Sequence, residues 1–172
     1  SYLPSMKVSN QVLAVALHRL IDDNQLFEAD FYTVLSIIPG VSIQDEAFLT
    51  DALINLFEER YVESIHIAMP RLESVTANVY EEMGKAVTKN QGTVYEQRGL
   101  GGLFGLIEED IDVNFGQYLQ YRYTNTSGYN LRNKVAHGQI RYSATNFTQA
   151  STLIFDIYRV GARITDTYSQ TN

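Results

Sequence analysis

YVESIHIAMPRLESVTANVYEEMG, residues 61–84, carries the period that decides the fold. Tyr61, Ile65, Ala68, Met69, Leu72, Val75, Val79 and Met83 recur at three- and four-residue intervals, the pattern of a helix with one buried stripe. Gly84 stands where the pattern stops and suits a helix C-terminus. Pro70 falls inside the stripe, lacks an amide N–H, and predicts a kink or a division into two helices.

The same period extends in both directions. Val12, Leu13, Ala16, Leu17, Leu20 and Ile21 follow Ser9, a reasonable N-cap. A short helix is expected from Glu28 to Ile38, stopped by Pro39-Gly40. Ser42 with Asp45 resembles a capping box, with Asp in place of Glu, and opens a helix whose apolar face carries Ala47, Phe48, Ala52, Leu53, Leu56 and Phe57. From Lys85 to Leu103 the chain is Gly-rich, with Thr93, Val94 and Tyr95 as its strand-like run, and reads as a loop or small hairpin. Helices follow at Leu103–Asp110 and Phe115–Tyr123, then a polar loop from Thr124 to Gly128. A final helix, roughly Ala144 to Tyr168, has Phe147, Ala150, Ile154, Ile157, Tyr158, Gly161 and Ile164 at core spacing. The expected fold is all-α: an up-and-down helical bundle of about four main helices with short extra ones.

The 172 residues fit one domain with an ample core. No apolar run reaches the roughly 18 residues needed to span a bilayer, and no secretory leader is recognisable, so a soluble cytoplasmic protein is expected. The first methionine is Met6, which suggests an artificial leader or a piece of a longer protein. Cys is absent, which excludes disulfides and thiolate-bound zinc. The net charge of −7 argues against indiscriminate coating of RNA or DNA. That average hides an asymmetry. From Val113 to Phe155 there is no Asp or Glu, while Arg122, Arg132, Lys134 and Arg141 all lie there.

Within this acid-free stretch stands Leu131-Arg132-Asn133-Lys134-Val135-Ala136-His137-Gly138. Arginine holds phosphate by charge and paired N–H donors at any physiological pH, and histidine exchanges protons near neutrality. If the segment is helical, Leu131, Val135 and Gly138 share a core-facing side. Asn133 and His137, spaced i, i+4, stack on the opposite one. The competing structural reading pairs Arg132 with a surface carboxylate and lets His137 cap a helix end.

Arg132 and His137 frame an Arg-x-x-x-x-His pattern with a polar residue after the Arg. It resembles the signature of HEPN domains (higher eukaryotes and prokaryotes nucleotide-binding). The run from Gly128 to Gly138 looks most like the branch called domain of unknown function 4209, and Glu63 to Glu73, with His66 and Pro70, also resembles that branch. The similarity extends from Asp45 to the last helix. It implies that residues 1–172 form a single HEPN-like helical domain that dimerises and, in catalytic members, cleaves RNA without a metal or other cofactor. Toxin–antitoxin, phage-defence and RNA-processing systems use such domains, which would make an antitoxin or larger effector domains the expected partners. By carry-over, Arg132 holds the scissile phosphate, Asn133 positions it and His137 transfers protons. Lys134, Arg122, Arg141 and Tyr129 are the candidate substrate contacts.

Two-prime hydroxyl attack needs both a base and an acid, and one protomer offers only His137 nearby. The reading therefore requires a two-fold dimer that apposes two motifs. The alternative is a non-catalytic nucleotide-binding or protein-interaction module, or a dimerisation domain from a larger effector. Other constellations are weaker. Glu63-x-x-His66 matches half of a di-iron element, but no second copy exists, so His66 reads as a partly buried, hydrogen-bonded residue. Arg71 and Glu73 read as surface or interhelix pairs. Gly99-Leu100-Gly101-Gly102 lacks the Lys-Ser/Thr ending of a phosphate loop and reads as a flexible turn. Tyr118, Tyr121, Tyr123 and Tyr129 suit base stacking, or equally a helix interface.

Overall fold

Ser42 begins the first long helix with the box its sequence promised. Its Oγ accepts from the Asp45 N–H at 3.1 Å, while the Asp45 carboxylate accepts from the Ser42 N–H at 3.3 Å. The structure, a computed structural model, describes residues 28–91 and 94–170; the helix expected after Ser9 lies outside them. Helix α1 spans Glu28–Ser36, α2 Ile43–Phe57 and α3 Tyr61–Glu82. An antiparallel hairpin follows, β1 Thr88–Gln91 with β2 Val94–Gln97, pairing Thr88 with Gln97. Then come α4 Leu100–Asp110, α5 Val113–Leu119, a π-helical turn Gln120–Thr124, α6 Leu131–Ala136, a 3₁₀ turn Tyr142–Ala144 and α7 Phe147–Ser169. The protein is an all-α bundle, the hairpin aside.

Helix α3 is the axis, packed against both α2 and α7. Its stripe is buried as spaced: Ile65, Ala68, Leu72, Val75 and Val79 have no exposed surface. Truncating one of the larger of them to Ala would cost roughly 2–5 kcal/mol. Gly84 ends the helix at φ +72°. The N–H of Lys85 reaches back to the Tyr80 carbonyl and that of Gly84 to Glu81, so the last carbonyls are satisfied.

The structure corrects several expectations. Pro70 does not divide α3, which runs unbroken with the ring on its exposed side. On α2 the core side is set by Leu49, Ala52, Leu53 and Leu56. Ala47 and Phe48 are exposed, the Phe48 ring lying 4.6 Å beneath the Arg71 guanidinium. Helix α4 starts at Leu100, so the glycines read as a flexible turn form its first turn, with Gly99 as N-cap. The helix expected through Tyr123 is α-helical only to Leu119. The last helix starts at Phe147, where Asn146 Oδ1 accepts from the Gln149 N–H. Tyr158 is half exposed and contributes nothing to the core.

Candidate functional site

Asn130 opens the motif helix from a left-handed conformation, φ +53°, which Asn tolerates better than most residues. Leu131 then drops into the core at 1% exposure and Val135 packs against it, so α6 is pinned by one side. The helix stops as soon as the motif ends. Gly138, at φ +62°, donates to the Val135 carbonyl while Gln139 donates to Lys134, the reciprocal pair that closes a helix C-terminus. Gly138 is thus an exposed stop signal, where the periodicity expected a third core position.

Arg132 and His137 are both exposed, Asn133 half-buried. The Arg132 Nη1 donates to Asn133 Oδ1 at 3.2 Å, holding the guanidinium beside the amide. His137 is the C-cap residue, so its imidazole leaves the helix at the end where a cation is favoured. Lys134 folds its ammonium over the Tyr129 ring, 3.9 Å from the centroid, and the Tyr129 hydroxyl accepts from Gln149 Nε2 at 2.8 Å. Arg141 is exposed just before the 3₁₀ turn.

Ion pairing engages most of the other arginines. Arg60, Arg71, Arg122, Arg159 and Arg163 each lie within 4.0 Å of a carboxylate. Among the described residues, Arg132, Lys134, His137 and Arg141 have no such partner.

Arg122 belongs to the interior instead. Its Nε donates to the Tyr123 hydroxyl at 3.1 Å and lies 3.8 Å from Asp156 Oδ2. Asp156, with no exposed surface, accepts from Tyr118 at 2.8 Å, Tyr123 at 2.7 Å and Arg159 at 2.8 Å. Burial first, and then the Asp156 charge, hold the Tyr123 phenol well above its ordinary pKa. Arg122 Nη2 also donates to the Gln149 carbonyl at 3.4 Å. A chain of contacts thus runs from Asp156 through Arg122 and Gln149 to Tyr129, beneath Lys134. Sequence reading passed over Asp156, yet the signal was present: it shares the buried stripe of Leu153 and Val160, and a carboxylate on such a stripe needs partners. Tyr142, beside Arg141, was also passed over.

The remaining candidates are settled locally. His66 is exposed, not partly buried as expected, and its Nδ1 lies 2.7 Å from the Val62 carbonyl one turn back. Arg71 is an interhelix pair, with Nη1 3.2 Å from the buried Asp45 Oδ1. Among the described residues no three His, Asp or Glu side chains gather as a metal site. Compared with protein-family models, curated proteins and solved structures, the chain matches none.

Proposed function

We propose that this protein is a homodimeric, metal-independent RNA endonuclease of the HEPN type, acting in a bacterial defence or toxin context. The observation that carries the reading is the pair of exposed residues Arg132 and His137 at the start and the C-cap of one short helix, with the half-buried Asn133 bonded to Arg132 and no carboxylate within ion-pair distance among the described residues. Arg132 would hold the phosphate through its fork of N–H donors, and its bond to Asn133 would fix the approach. The 2′-hydroxyl oxygen attacks phosphorus, the P–O5′ bond breaks, and a 2′,3′-cyclic phosphate and a free 5′-hydroxyl result. The proton leaves the 2′-oxygen for one imidazole and arrives at the 5′-oxygen from another. A two-fold dimer supplies the second His137. Lys134 and Arg141 flank the strand. Arg122 supports the face from beneath, since its guanidinium is engaged with Tyr123, Gln149 and Asp156.

Labelled single-stranded RNA incubated in excess EDTA tests this. Wild type should cleave it, while Arg132→Ala and His137→Ala should each lose at least a hundredfold in rate with helical content and sedimentation unchanged. Binding without turnover by wild type would replace the nuclease with a nucleotide-binding module. Full activity in a strict monomer would refute the two-histidine mechanism.

A further inference from the structure

The tyrosines around the motif fall into two groups. Tyr118 and Tyr123 are buried, with both hydroxyls on Asp156. Tyr129 is half-buried, its ring covered by Lys134 and its hydroxyl tied to Gln149. Their faces are spoken for. Tyr121 and Tyr142 are exposed, at 48% and 71%, and neither side chain makes a hydrogen bond or ring contact among the described residues. The arginine beside Tyr121 is Arg122, already engaged with Tyr123, Gln149 and Asp156, which leaves Tyr142. It sits at the start of a 3₁₀ turn whose backbone is fixed by the Ala144 N–H on the Arg141 carbonyl and by the Thr145 hydroxyl on the Tyr142 carbonyl. The aromatic plane is therefore presented on an anchored turn. Arg141, also exposed and without a carboxylate partner among the described residues, precedes it directly.

Tyr142 is the fifth residue after His137, so the two lie within about 18 Å even for extended chain. That distance is a few nucleotides of strand. An exposed aromatic beside an unpaired arginine is the pairing that grips unpaired bases, the ring taking the base and the cation its phosphate. A duplex hides its base faces, and an acidic protein with so few free cations lacks the charge to hold one by its backbone.

We propose that Tyr142 and Arg141 form a base-stacking subsite beside the motif and that the strand it takes is single-stranded RNA. This rests on reading Arg132 and His137 as the phosphate and proton-transfer residues, and it adds the residues that grip an unpaired base beside the cleaved phosphate.

Fluorescence anisotropy separates the two ideas. The His137→Ala protein, which should bind without turnover, is titrated with a labelled single-stranded RNA and with the same strand in a duplex. Adding Tyr142→Ala should weaken single-strand binding roughly tenfold, Tyr142→Phe should restore it, and the duplex should bind weakly to all three proteins. Circular dichroism should be unchanged, because the side chain touches no core group. Unaltered affinity in Tyr142→Ala, with Arg132→Ala losing it, would overturn the stacking subsite and leave the nuclease reading standing. Loss in Tyr142→Ala from a protein that never cleaves RNA would keep the subsite and overturn the nuclease. Equal affinity for strand and duplex would overturn the subsite.

Discussion

Asp156 is the residue on which the polar interior converges. Two phenols and two guanidinium groups surround one carboxylate with no exposed surface. Such an arrangement is tolerable because each partner offsets part of the cost of removing the charge from water; breaking it leaves the others stranded. Asp156→Ala should therefore lower unfolding free energy by about 3–5 kcal/mol. Asp156→Asn, which keeps an acceptor for the tyrosines, should cost less. Urea unfolding of both variants checks the order. Because the contacts continue through Arg122 and Gln149 to Tyr129, the asparagine variant is also the cleaner probe of whether the interior steadies Lys134 and α6.

At the scale of elements, Asp112 does two things at once. It caps α5, accepting from the Phe115 N–H at 3.0 Å, and it holds Arg163 of α7 at 2.6 Å. Burial alone would raise its pKa; the Phe115 and Asn114 amides and the Arg163 charge outweigh that and lower it. A depressed folded-state pKa contributes stability that is present above the ordinary aspartate value and fades as pH falls through the lowered one. Wild type should thus lose stability at the acid end of a pH series, and Asp112→Ala, about 1 kcal/mol weaker at neutral pH, should show a flatter acid limb. The contrast between caps and connections also explains how legible the fold was. Ser42, Gly84 and the stripe of α3 are local signals, read from neighbours three or four residues away. The missed boundaries are not local. Helix α4 begins three residues early because Leu100 finds a place in the core that no glycine-rich string announces. The π turn exists because Arg122 and Tyr123 must meet a carboxylate more than thirty residues later. For the motif, periodicity correctly turned Leu131 inward and His137 outward. It had no means of separating Arg122 from Arg132, since only tertiary partners distinguish an engaged cation from a free one.

At the scale of the whole molecule, α7 joins the parts. It meets α3 along its length, receives the phenols of Tyr118 and Tyr123, and pairs with Asp112 near its C-terminal half. Tyr80, buried on α3 beside the Tyr168 ring of α7, has its pKa raised by burial first and then by Tyr168, Asp110 and Glu109. Tyr123 is raised in the same direction. A raised folded-state pKa contributes stability that is fully present below the ordinary tyrosine value of about 10 and is lost as pH climbs through the folded one. Tyrosinate absorbance during alkaline titration should therefore rise in two stages. The late stage is the buried pair, which ionises together with loss of helical circular dichroism. Smooth titration without unfolding would contradict the burial of these two rings.

The π turn at Gln120–Thr124, where the Asn125 N–H reaches five residues back to Gln120, has a consequence at the level of the gene. A π turn houses one residue more than the α turn it replaces, so it tolerates a deletion better in geometry than in meaning. Removing a single codon there would let an ordinary helix close. Residues on either side of the lost one would keep their faces, because the wider turn is what absorbs the extra residue; only a deletion that removed Tyr123 itself would take a phenol from Asp156.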